Sequence, residues 1–192
     1  MVCVGFVTRT AFVRISNSTL SHTYMFLQAI NVDSAFYLSR EFLPAMKVSN
    51  FGRIVMIGSL AAKVGVLWFS RSIAPFPNRN PWKFSAFQTG GITAGSSYVT
   101  SKGALHSLTF SLAIECAADG VTVNGIAPAY VRTPMVTEQL TEEQRNEVLS
   151  KIPVHRFCEP EEVAHTVMFL ISPLSGFITG EIIDQNGGLW PD

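Results

Sequence analysis

Arg53-Ile-Val-Met-Ile-Gly58 sets four consecutive apolar residues where a half-exposed strand would alternate apolar and polar. A strand with no polar face is buried on both sides, as in a parallel sheet covered by helices. Asn50, Phe51 and Gly52 break the chain just before it. Upstream, Phe26, Ile30, Phe36, Leu38, Phe42, Leu43 and Met46 predict one helix from His22 to about Met46 with a broad buried face. Downstream, Val121-Thr-Val-Asn-Gly-Ile126 repeats the buried-strand pattern and stops at Pro128. Between the two strands, Ser97 to about Ala118 predicts a helix capped by Ser97 and ended by Gly120. Its inward residues are Leu105, Leu108, Leu112 and either Ala113 or Ile114. A polar helix over 137–151, a helix from Pro160 to about Ile171 and a short strand Glu181-Ile-Ile-Asp184 complete the pattern. This alternation is that of an α/β sandwich. Residues 1–21 are harder to place. Val2-Cys-Val-Gly-Phe-Val7 suits a short strand, but no turn-and-helix pattern follows it.

Composition narrows the classes. The 192 residues suit one domain with a real core, and 47% apolar against 15% charged residues excludes a disordered tail or a charged coiled coil. A net charge of zero argues against a general nucleic-acid binder. Residues 1–112 carry +8 and residues 113–192 carry −8, which reads as surface composition. Cys3, Cys116 and Cys158 are odd in number and far apart, with no metal-ligand or disulfide spacing. A reduced, cytoplasmic protein without a metal is the simple expectation. Arg9 and Arg14 interrupt any signal-peptide core, and no run of about 18 apolar residues exists to engage a membrane.

Residues 66–91 differ from their surroundings. They hold six aromatics (Trp68, Phe69, Phe76, Trp82, Phe84, Phe87), three prolines, three basic residues and no acid, with neither helix nor strand period. Long structureless loops are uncommon inside compact domains.

Tyr98 and Lys102 stand at i and i+4, so on a helix they share one face. An ammonium beside a phenol favours the phenolate and lowers its pKa, which suits proton transfer at a carbonyl or alcohol. Alone, the pair fits a snorkelling surface contact better. Its company is more telling. Asn31-Val-Asp-Ser-Ala-Phe36 comes first, then Gly52-Arg-Ile-Val-Met-Ile-Gly-Ser59, Tyr98-Val-Thr-Ser-Lys102-Gly-Ala-Leu and Val123-Asn-Gly-Ile-Ala-Pro128-Ala-Tyr-Val131-Arg-Thr133. Pro160-Glu-Glu-Val-Ala164, Phe177-Ile-Thr-Gly180-Glu and Asn186-Gly-Gly188 close the series. In this order the strings resemble the short-chain dehydrogenase/reductase family, its 3-oxoacyl-reductase-like branch in particular, over about 22–65 and 92–190.

The resemblance implies a Rossmann-like doubly wound parallel sheet with helices on both faces, here as a single N-terminally truncated domain over 1–192. It implies hydride transfer between NADP or NAD and a small-molecule carbonyl/alcohol substrate, and assembly as a homo-oligomer. By resemblance Tyr98 is the general acid/base and also a cofactor-binding residue, and Ser59 stabilises charge developing on the substrate oxygen. Lys102 lowers the Tyr98 pKa and holds the nicotinamide ribose, and Asn31 supports Lys102 through a water. Pro128, Val131 and Thr133 match the segment beside the nicotinamide. Taken singly, Ser59 also fits a strand-end turn and Asn31 a solvent-facing helix position. Ala129 stands where the family usually has glycine, which matters if that backbone needs positive φ.

Two departures accompany the resemblance. No glycine-rich turn for a pyrophosphate precedes Asn31, and Thr89-Gly-Gly-Ile-Thr-Ala-Gly95-Ser-Ser97 lacks the required spacing. The expectation is an apolar sheet edge left open by missing strands. The gap from Ser59 to Tyr98 is 39 residues, longer than the family pattern by roughly the aromatic stretch. That stretch reads either as a substrate lid or as sequence foreign to the domain, and its composition favours the second. The alternative to an active oxidoreductase is a catalytically inactive family fragment, acting only as an interaction or non-functional product.

Overall fold

A computed structural model of the chain describes residues 2–5, 20–63, 96–138 and 140–191. The unbroken apolar runs become the middle of one parallel sheet. Its strands β1 (Val2–Gly5), β2 (Gly52–Ile57), β3 (Val121–Pro128) and β4 (Ile182–Gln185) lie in that spatial order. The register pairs Val4 with Val55, Ile54 with Val123 and Ile126 with Ile183. Helices α1 (Leu20–Gln28) and α2 (Ser34–Val48) connect β1 to β2, and α3 (Ser96–Cys116) precedes β3. Between β3 and β4 come α4 (Pro134–Thr137), α5 (Glu142–Lys151) and α6 (Pro160–Ile171).

Both faces of β2 are covered, as its sequence requires. Ile54 and Met56, with Val121 and Val123 of β3, pack against Leu43 and Met46 of α2 and Leu105, Leu112 and Cys116 of α3. The alternate residues Val55 and Ile57, with Ile126, meet Val163, Val167 and Leu170 of α6. Each fully buried aliphatic side chain of this kind contributes about 1.5–3 kcal/mol. Helices on both faces of a parallel sheet make the domain Rossmann-like.

Several local expectations change. β1 pairs along β2 from Val2–Arg53 to Gly5–Met56, so among the described residues the open edge of the sheet is that of β1 rather than β2. The helix expected over 22–46 is continuous from α1 into α2, but a π-helical segment, Ala29–Asp33, interrupts its regular turns. The α3 helix begins at Ser96, so Ser97 lies inside it rather than capping it. The polar helix expected over 137–151 is two helices. Buried Leu140 lies between them, and Thr141 restarts the chain with a reciprocal capping box to Gln144. Glu159 and Glu162 make a second capping box ahead of α6, with Pro160 in its first turn. After α3, Gly120 adopts φ 72°, and any Cβ there would meet the Asn50 carbonyl oxygen at 2.4 Å. Only glycine turns the chain into β3 at that approach. The aromatic stretch 66–91 lies outside the described residues, as does most of the glycine-containing run 89–97.

Candidate active site

Parallel strands place their carboxyl ends on one edge of the sheet, where open α/β folds gather ligands. Ser59 follows β2 by two residues, and Gly58 N–H donates to the Ile126 carbonyl at 2.7 Å, so the end of β2 runs beside the end of β3. Helix α3 crosses this edge. Tyr98, Lys102 and His106 recur every four residues along it and meet three successive residues of the chain leaving β2. The Ser59 hydroxyl lies beside the Tyr98 phenol and favours its ionised form. Lys102 Nζ donates to the Ile57 carbonyl at 2.7 Å and sits 5.7 Å from the centre of the Tyr98 ring. The His106 ring lies against Gly58.

Ser59 also accepts a hydrogen bond from Ala61 N–H at 3.2 Å, so the helical turn over residues 60–63 orients its hydroxyl. Asn31 occupies the π-helical segment and is 3% exposed. Such segments turn a side chain out of regular helical phase and recur at functional sites. Asn31 Nδ2 donates to Ser101 Oγ at 2.8 Å, and the Ser101 hydroxyl in turn donates to the Tyr98 carbonyl at 2.7 Å. Asn31 therefore reaches the Tyr98–Lys102 turn through Ser101. Ser101, adjacent to Lys102 and fully buried, is a member of the site that sequence reasoning missed.

Electrostatics depart from the expectation drawn from spacing. Lys102 is 1% exposed, and burial pushes its ammonium down to about 7. Burial pushes the Tyr98 phenol above its usual value, with the Ser59 hydroxyl acting in the opposite sense. The expected lowering of the Tyr98 pKa by Lys102 is thus outweighed. Desolvation penalises the phenolate, and the same desolvation drains charge from the ammonium that was to stabilise it.

Pro128, Val131 and Thr133 lie at the end of β3. Pro128 pairs with Gln185, and Val131 forms an isolated bridge to Cys158. Thr133 is half-buried at the start of α4, its N–H donating to the Val131 carbonyl at 2.8 Å. Ala129 is not among the residues with positive φ, so the turn accommodates alanine without strain.

His106 is the second residue that sequence reasoning missed, although its i+8 spacing from Tyr98 on the same helix face is a usable signal. It is 7% exposed, and burial together with the Lys63 and Lys102 ammoniums pushes its imidazolium down to about 4. Lys63 itself pairs with Asp184 of β4 at 2.7 Å. Between pH 6.5 and 4 the unfolded chain binds a proton at His106 that the folded chain refuses, so this contribution to stability is lost as pH falls through that window. The loss by pH 4 is about 3 kcal/mol. Urea midpoints measured at pH 7 and pH 4.5 should fall steeply for the native chain and less for His106→Asn.

Comparison with known proteins matches these elements to one family. A short chain dehydrogenase family model matches residues 3–71, and an enoyl-(acyl carrier protein) reductase model matches residues 84–190. The residues between the two matches fall within the aromatic stretch. A tropinone reductase homolog of Arabidopsis thaliana is 34% identical over 177 residues, covering 91% of this chain and 57% of the relative. A 3-oxoacyl-[acyl-carrier-protein] reductase of Rickettsia conorii is 34% identical over 160 residues, covering 83% of this chain and 55% of the relative. A solved structure of a Thermus thermophilus protein superposes with a TM-score of 0.77 at 26% identity, covering 98% of this chain and 69% of that one. The chain thus spans about half the length of the curated relatives it matches. With its parallel sheet, its two covered faces and family-model matches on both sides of the aromatic stretch, the chain belongs to the short-chain dehydrogenase/reductase family.

Proposed function

We propose that this chain is a nicotinamide-dependent oxidoreductase acting on a carbonyl/alcohol pair, with Tyr98 as its general acid/base. The observation that carries the reading is a fully buried Lys102 that donates to the Ile57 carbonyl and sits 5.7 Å from the centre of the Tyr98 ring, with Ser59 beside the phenol. A phenol above its usual pKa is protonated at neutral pH, the form that donates a proton to a carbonyl oxygen as it becomes an alkoxide. Ser59 donates to the same oxygen and stabilises the charge that develops there. Asn31 and Ser101 hold the backbone of the Tyr98–Lys102 turn and so fix the direction of the phenol.

The donor set around Lys102 fits the ribose end of a nicotinamide cofactor. An ammonium has three N–H donors. One goes to the Ile57 carbonyl, and the others suit a pair of adjacent hydroxyls. Pro128, Val131 and Thr133 would line the nicotinamide ring beside the end of β3. When bound, that cofactor supplies or accepts the hydride. The apolar residues Phe36, Tyr37 and Leu38 of α2 and Phe110 and Ile114 of α3 are exposed, which supports association into a homo-oligomer.

Titration of the monodisperse chain with NADPH, and separately NADH, followed by nicotinamide fluorescence, tests the reading. Saturable binding of one of them is the expected result and identifies the preferred cofactor. Absence of binding to either by a demonstrably folded chain would leave the inactive-fragment alternative in its place.

A further inference from the structure

We propose that His106 is a positioning residue whose ring fills the notch at Gly58, seating the end of β2 against α3 so that Ser59 stays in reach of Tyr98. The inference rests on the reading of Tyr98 and Ser59 as the reacting pair, and it adds a residue one turn beyond Lys102.

Three contacts in register support it. Ile57 accepts from Lys102, Gly58 is covered by His106, and Ser59 lies beside the Tyr98 phenol. The middle contact is the closest. A Cβ built on Gly58 would lie 2.1 Å from His106 Nε2 and 2.7 Å from its Cδ2, so the imidazole occupies the volume that any side chain at position 58 would need. The same Cβ would also lie 3.2 Å from the Ile126 carbonyl oxygen, a tight approach to backbone.

Shape rather than hydrogen bonding explains the ring. His106 Nε2 is buried and has no hydrogen-bond partner among the described residues. An unpaired buried nitrogen is costly, so packing has to compensate for it. Burial first, and then the neighbouring ammoniums, hold the imidazolium well below its usual pKa, so the ring stays neutral. Lys102 lies one turn before it on α3, and Lys63, held by Asp184 of β4, approaches from the turn that follows Ser59. That ion pair also ties the 60–63 turn to β4. The segment carrying Ser59 is thus fixed by His106 on one side and by Lys63–Asp184 beyond it.

A double-mutant cycle tests the notch: Gly58→Ala, His106→Ala and the two together. Thermal unfolding is read alongside the alkaline titration of the Tyr98 phenol, taken as the ultraviolet difference from the same protein carrying Tyr98→Phe. In Gly58→Ala the methyl and the imidazole compete for one space, so Tm falls and Tyr98 titrates higher by about half a pH unit or more as Ser59 moves away from the phenol. His106→Ala alone raises the Tyr98 titration in the same direction. In the double variant the methyl takes up part of the space the ring has left, and most of the Tm loss of Gly58→Ala is recovered. If Gly58→Ala fails to fold, folding of the double variant is the supporting result. A double variant as unstable as the sum of its parents overturns the proposal, and so does an unchanged Tyr98 titration in His106→Ala. Neither readout needs turnover, so failure to bind nicotinamide would overturn the oxidoreductase reading while leaving this cycle interpretable.

Discussion

Tyr98→Phe lowers turnover of any carbonyl substrate of this chain by about a thousandfold while leaving nicotinamide binding intact. Positioned general acids contribute about 10²–10⁴ in rate, and under the proposed function the phenol is that proton donor. The substitution removes one oxygen and keeps the ring, so the ring's place beside Lys102 and the burial of Lys102 are preserved. Ser59 still accepts from Ala61 N–H. The effect should therefore fall on kcat, with KM little changed and the near-ultraviolet circular dichroism retaining its fold signature. Turnover within a few-fold of the native rate would remove Tyr98 from the role of acid.

Lys102→Met stabilises the chain by about 3 kcal/mol at pH 7 and abolishes turnover. A lysine held near 7 in the fold and near 10.5 when unfolded opposes folding, because the unfolded chain gains the proton more readily. The stability this costs is about 5 kcal/mol below pH 7, and it is recovered as pH rises from 7 towards 10.5. Methionine has a similar length and no charge to desolvate. Against the gain stands the Ile57 carbonyl, which loses its donor at a cost of about 1–2 kcal/mol. Urea unfolding of both proteins at pH 6, 7 and 10 checks the sign. The advantage of the variant should shrink towards pH 10. A variant less stable than the native chain at pH 6 would mean that the lysine charge is compensated inside the fold. A residue kept at such a cost is consistent with a site that trades stability for chemistry.

Much of the fold is legible along the chain. Four apolar residues in a row from Ile54 to Ile57 can only be buried on both faces, and the structure covers one with α2 and α3 and the other with α6. Glu159, Pro160 and Glu162 announce the start of α6 through hydrogen bonds made within four residues. The break at Gly120 is local too, since its positive φ follows from the turn it makes. Val2–Gly5 reads as a short strand along the chain, but its place beside β2 is set only by its partner. The π-helical segment at Asn31 leaves no mark in the hydrophobic period. His106 interrupts the apolar pattern of Leu105, Leu108 and Leu112 and so reads as a surface residue until the approach of Gly58 is seen.

The sequence by itself determined the buried parallel strands, the helix that puts Tyr98 and Lys102 on one face, and the ordered motifs that mark the family. These depend on periodicity and on contacts a few residues apart. Tertiary structure decided which groups carry charge and what holds them. Lys102 is pushed towards neutrality, Tyr98 is raised rather than lowered, Asn31 acts through Ser101, and His106 fills the space at Gly58. Desolvation and close approach arise between segments 40 to 70 residues apart, such as Ile57 with Lys102 and Asn31 with Ser101, and no local pattern encodes them.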